Sequence, residues 1–190
     1  MKISNEHRKV RYTKRVIRES LFELLDKKKL NQISVKELCE LADINRGTFY
    51  SHFTDIYDLV EKLEGELLQR MISVAKFEKI GKNNQLEMFV DILSHIKSNV
   101  EDYRTLVINP DFSRCLDEFL AVTHKHHAKA LAEKNPHISR NMIDYSFAYL
   151  SSGSTRAILK WIENDFEESP EEMAALIDAF SNCGISYLSS

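Results

Sequence analysis

The chain has 190 residues, of which 43% are hydrophobic and 29% charged, with only 5 glycines and 3 prolines. That composition supports a sizeable core and disfavours a many-turned β sandwich or barrel. No run approaches the ~18 apolar residues of a membrane span, the N-terminal segment lacks the apolar stretch of a signal peptide, and Cys39, Cys115 and Cys183 are too few and too dispersed for a disulfide framework. A reduced, cytoplasmic setting without membrane attachment is expected.

The formal net charge of −3 is divided unevenly. Residues 1–55 hold 12 Lys/Arg against 8 Asp/Glu, and the remainder holds 14 against 21. A basic end on an acidic body suggests a polyanion partner, although charge also varies by chance along any chain.

In chain order, nearly every segment has helical periodicity. Residues 13–28 place Ile17, Leu21, Leu24 and Leu25 on one face, with Ser20 between them. Ser34 and Glu37 are spaced as a capping box, so a helix is expected from Val35, with Val35, Leu38, Leu41 and Ala42 inward. Asn45 is a good N-cap for "RGTFYSH", residues 46–52. Thr54 is expected to cap a helix running from Asp55 to about Phe77, ended by Gly81. Further helices are expected around Leu86–Val100, with Leu86, Phe89, Val90, Leu93, Ile96 and Val100 as its apolar positions. Another follows Asn109–Pro110, carrying Phe112, Leu116, Phe119 and Leu120. Pro136 marks a loop, and a long helix follows from about Ser139 to Asn164. Ser169, Pro170 and Glu172 start the last helix, with Met173, Leu176, Ile177, Phe180 and Ile185 expected inside. The expected fold class is all-α.

The N-terminal helices form a helix-turn-helix pattern, whose second helix would enter a DNA major groove. Arg46 can reach base acceptors or phosphate, and Gly47 permits close backbone approach. Thr48 offers a hydroxyl and a methyl to a base edge, while Tyr50 and His52 carry hydrogen-bonding tips on stiff rings. Phe49 and Phe53 fall on the opposite face, as anchors. Ser34 and the amides beside it can take a phosphate, and Lys2, Arg8, Lys9, Arg11 and Lys14 form a basic arm.

The stretch "SVKELCELADINRGTFYSHFTDIYDL" resembles the helix-turn-helix of the tetracycline-repressor (TetR) family of bacterial transcriptional regulators. The likeness runs from about Thr13 to Leu59. It implies a nine-helix or so all-α homodimer, divided into a DNA-binding domain (1–54) and a regulatory, effector-binding and dimerisation domain (55–190). It implies DNA contacts at Ser34, Lys36, Arg46, Gly47, Thr48, Tyr50 and His52. The family usually has a lysine where this chain has Ile56. Losing that phosphate contact would weaken DNA binding and lower its salt dependence by about one charge. The stretch "SSGSTRAILKWIENDFEESPEEMAAL" resembles the branch that includes activators of dihydroxyacetone kinase operons.

The resemblance also implies an effector cavity in the body, lined here by Met71, Phe89, Leu93, Tyr103, Phe112, Leu116, Phe119 and Tyr145; the same stripes could simply be core. The small residues of "SSGS" in the long helix suggest a dimer seam with the last helix. Ser151, Gly153, Ser154, Ile158, Trp161, Ile177 and Phe180 would form it, unless they pack inside one subunit.

His124, His126 and His127 suggest a metal site only weakly, because no carboxylate or Cys stands at ligand spacing and Lys125 and Lys129 are close by. A solvated helix face is the expectation for them, and no metal is expected. His95 is expected at the helix surface or on the cavity wall. No nucleophile elbow, HExxH pair, P-loop or dinucleotide fingerprint occurs, so no catalytic residue or cofactor is expected. The expected function is a ligand-responsive repressor with double-stranded DNA, a second copy and a small-molecule effector as partners. The alternative is a co-regulator that acts through a protein partner, with weak or no DNA binding of its own.

Overall fold

The computed structural model describes residues 2–77, 80, 84–109, 112 and 114–186, with side chains from Arg8 to Cys183 within those ranges. Among the described residues the protein has nine α-helices and no strand. Two compact units form, Met1–Glu66 with Asn109–Asp111, and Leu67–Ile108 with Phe112–Ser190. The division falls inside α4 (Ile56–Ala75), not ahead of it.

The first unit begins with α1 (Lys2–Leu25), which starts well upstream of the expected Thr13. The basic arm is therefore helical, as its Lys, Arg and Glu content favours. Ile17, Leu21 and Leu24 are buried at i, i+4 and i+7, and Ser20 is the small residue between them. In α2 (Val35–Leu41), Ser34 Oγ accepts from Glu37 N–H at 3.2 Å. The Glu37 carboxylate pairs with Lys28. Leu38 and Cys39 are the buried pair, and Leu41, expected inside, is 41% exposed. Seven residues make a stripe only two positions wide.

Asp43, at φ 51°, turns the chain into α3 (Arg46–Tyr50). Asn45 Oδ1 accepts from the Thr48 backbone N–H at 2.7 Å and from the Thr48 hydroxyl at 3.1 Å. Helix α4 is capped by Asp55, not Thr54. Asp55 Oδ1 accepts from Asp58 N–H, and Asp58 Oδ2 accepts from Thr54 N–H, both at 2.8 Å. The Thr54 amide and Lys62 hold the Asp58 carboxyl below its ordinary range. Lys76, at φ 43°, follows the end of α4; the expected stop, Gly81, lies outside the described residues.

In the second unit, α5 (Gln85–Ser98) buries Met88, Leu93 and Ile96, while Leu86 is 42% exposed. Asn99 ends it by donating its side-chain amide to His95 O at 2.8 Å, so Val100 opens a separate short α6 (Val100–Tyr103). A π-helical turn follows at Arg104–Ile108. Phe112, expected on the next helix, precedes α7 (Arg114–Lys134) and is buried. Ser139 caps α8 (Arg140–Glu163). Ser169 and Glu172 form the full reciprocal box at the start of α9 (Pro170–Ser186).

Between α8 and α9 the chain passes through left-handed Asp165 and Phe166, at φ 51° and 61°. Trp161 holds this corner, donating Nε1–H to Glu168 O at 3.0 Å and taking the Phe166 ring edge-on at 4.8 Å. α9 packs along α5 and α8. Met173, Ala174 and Ile177 are its buried positions, whereas Leu176 and Phe180, expected inside, are 45% and 63% exposed. The Ile185 side chain lies outside the described residues.

Candidate nucleic-acid interface and regulatory cavity

Helix α3 has two distinct faces. Phe49 is fully buried and Phe53 nearly so, with ring centroids 5.5 Å apart. Arg46, Gly47 and Tyr50 are exposed, and Thr48 and His52 are half-buried. The Tyr50 ring stands edge-on to Phe49 at 5.6 Å, which directs a stiff phenol outward. Ser34 and Lys36 are exposed at the start of α2; the Lys36–Glu40 pair at 3.8 Å lies in solvent and holds Lys36 only weakly. A Cβ on Gly47 would come within 3.2 Å of Asn45 Oδ1. A side chain there would press on the cap that starts the helix, a role sequence reasoning did not assign.

Lys62 joins α4 to the end of α3, donating to His52 O at 3.0 Å and to Asp58 at 2.9 Å beneath the Phe53 ring. Ile56 is 5% exposed and belongs to the core. The Asp55 carboxylate thus takes the Asp58 amide in the first turn of α4, and the Asp58 carboxylate takes the Thr54 amide just ahead of it, which puts two negative charges at this helix end.

Within the second unit, α5, α7, α8 and α9 line a partly open cavity of about 170 Å³. Phe77, Phe89, Phe119 and Phe147 supply aromatic wall, with Leu93 and Ile158. Among the described residues the polar wall comprises Gln85, Thr123, His127, Ser151, Ser154, Thr155 and Ser181, and no described Asp, Glu, Lys or Arg lines it. Of the residues expected to line a pocket, Phe89, Leu93 and Phe119 do so. Met71, Tyr103 and Phe112 are buried away from the cavity wall, Leu116 is half-buried outside it, and Tyr145 is 69% exposed. His127 and Phe147 escaped sequence reasoning because their facing depends on how α7 and α8 pack. The spacing of Ser151, Ser154 and Thr155 on α8 was the available signal for a polar cavity wall.

The residues expected at a dimer seam divide in the same way. Trp161 and Ile177 are each 2% exposed and have almost no surface to give a partner. Ser151, Ser154, Ile158 and Ile177 line the cavity, and Ser154 and Ile177 also line an outer groove between α8 and α9. Gly153 and Phe180 line the same groove, and a Cβ on Gly153 would meet nothing within 4 Å. Tyr145, Tyr149 and Phe180 are 69%, 77% and 63% exposed on these two helices.

The three clustered histidines have separate partners. His124 Nε2 lies 2.9 Å from Asp144, His126 stacks on Phe77 at 4.7 Å, and His127 Nε2 lies 3.4 Å from Ser146 Oγ. His95 meets Asn99 and the edge of Tyr103, away from the cavity wall.

No curated protein matches the chain. Solved structures of similar fold include a transcriptional regulator from Aquifex aeolicus VF5, at 19% identity and TM-score 0.59, covering 87% of this chain and 95% of that one. A TetR transcriptional regulator from Streptococcus agalactiae 2603V is 21% identical at TM-score 0.63, covering 94% and 98%. The dihydroxyacetone kinase operon activator DhaS is 16% identical at TM-score 0.55, covering 92% and 97%. At these identities the likeness concerns the fold. Residues 83–183 match the TetR_C_8 family model, "Transcriptional regulator C-terminal region". With more than half of its length within that model and an all-α fold to match, the chain belongs to the TetR family of transcriptional regulators.

Proposed function

We propose that the protein is a homodimeric, ligand-responsive cytoplasmic repressor whose N-terminal helices bind a pseudo-palindromic operator. The carrying observation is α3, with Phe49 and Phe53 inward and Arg46, Gly47 and Tyr50 outward. A helix anchored on one face and polar on the other can enter the major groove with its N-terminal residues at base edges. Residues 1–54 read DNA, with Ser34, Lys36, Thr48 and His52 adding phosphate and base contacts, and residues 55–190 regulate. A ligand in the cavity acts by favouring one of two spacings of the reading heads in the dimer.

The decisive experiment selects bound duplexes from a random pool and titrates the best by fluorescence anisotropy. Arg46→Ala is expected to cost about 1–3 kcal/mol of binding. If the native chain binds the selected duplex no better than random duplex at matched salt, autonomous operator binding fails.

That outcome would favour a second reading, a co-regulator working through a protein partner. Buried Ile56, with Asp55 and Asp58 occupying the start of α4, motivates it. Carboxylates at that helix end repel the DNA backbone.

Dimerisation uses the outer face of α8 and α9, where Tyr145, Tyr149 and Phe180 are exposed around the Gly153 groove. Exposed aromatic side chains on two neighbouring helices fit a self-complementary interface. Phe180→Glu should yield a monomer in sedimentation velocity at concentrations where the native chain is a dimer. An unchanged dimer would place the seam elsewhere.

A further inference from the structure

The cavity of the second unit has a one-sided hydrogen-bonding character. Thr123 donates its hydroxyl to Phe119 O at 2.9 Å and Ser181 donates to Ile177 O at 2.8 Å. Both therefore turn oxygen lone pairs, not protons, toward other partners. Ser146, which is not a wall residue, spends its own proton on Ile143 O at 2.8 Å and so can only accept from His127 Nε2 at 3.4 Å. In the neutral ring that leaves Nδ1 as an acceptor. Burial first, and then neighbouring His124, holds His127 below the usual histidine range and so keeps it neutral. Ser154 and Thr155 can rotate to either role. The fixed polar groups of an otherwise apolar cavity are thus weighted toward acceptors.

We propose that the cavity selects a neutral, single-ring molecule carrying one hydrogen-bond donor, with a phenol as the type. This rests on the effector reading above and narrows it to a chemical class. The size follows from the volume, about 170 Å³. An apolar protein cavity of roughly 150 Å³ accommodates benzene, so one ring and one small substituent fit. The charge follows from the described wall residues, which are uncharged apart from what His127 could carry and offer a carboxylate or ammonium no countercharge for its lost hydration. The donor follows from the acceptors, since a ligand that could only accept would leave those lone pairs unmatched.

Isothermal titration of the full-length protein with phenol, anisole, benzoate and benzylamine tests this directly. Phenol should bind about tenfold more tightly than anisole, which keeps the ring and oxygen but lacks the proton. Benzoate and benzylamine should bind more weakly still. His127→Leu, checked for folding by circular dichroism, should bring phenol and anisole within about twofold of each other. Anisole matching phenol, either ion matching or exceeding it, or no binding of any probe would overturn the proposal. Repeating the titrations with operator DNA present separates the two levels. Phenol binding with this selectivity but no change in operator affinity supports the class and refutes the effector role. An ion that binds and releases DNA supports the role and refutes the class.

Discussion

Phe49→Ala is expected to destabilise the reading head by about 3–5 kcal/mol, the range for removing an aromatic ring from a closed core. Phe49 is 0% exposed, and its ring contacts those of Tyr50 and Phe53 at 5.6 and 5.5 Å. Domains of this size hold only about 5–15 kcal/mol in total, so the variant should lose operator affinity through a partly unfolded head. Urea denaturation followed by circular dichroism measures the loss. A shift below about 1 kcal/mol would mean that Phe49 is not the anchor its burial implies.

The second large effect is expected at Asp102. Its side chain is 6% exposed and pairs with Arg70 Nη2 at 2.5 Å, linking α4 to α6. The Arg70 side chain is 38% exposed, and its Nε is buried without a hydrogen-bond partner. Asp102→Ala leaves a partly buried guanidinium uncompensated. A cost of about 2–3 kcal/mol is expected, between the ~3–5 of a fully buried broken pair and the ~1 or less of a surface pair. Arg70→Met combined with Asp102→Leu should recover the part of that loss that comes from the stranded guanidinium, because the double variant removes it. A double variant less stable than Asp102→Ala alone would show that the ion pair is needed for packing as well as for charge balance. The rings of His95 and Tyr103 share this neighbourhood, and burial raises the Tyr103 phenol well above its usual range. Tyr103 is therefore a core residue and not part of the cavity wall where the family resemblance had placed it.

Local chemistry was readable in advance. The caps at Ser34, Asn45 and Ser169 each depend on a bond spanning three residues. The division of α3 into Phe49 and Phe53 against Arg46, Gly47 and Tyr50 follows from helical periodicity within one segment. Errors appeared where two local solutions compete. Thr54 and Asp55 are both good caps, and the reciprocal bond with Asp58 decided for Asp55.

The sequence by itself determined the helical class, most of the helices and several of their caps, and the motif that resembles a DNA-reading head, because propensity, periodicity and capping act over a few residues. Only the tertiary structure decided which apolar stripes line a cavity and which are solid core. It placed Tyr103 and Met71 in the core, Phe147 and His127 on the cavity wall, and Phe180 on the outside. It also put His124 beside Asp144 and Ile56 in the core. A periodic pattern states that a helix has an apolar face; the identity of the neighbour against that face is fixed by how several distant helices fill one volume.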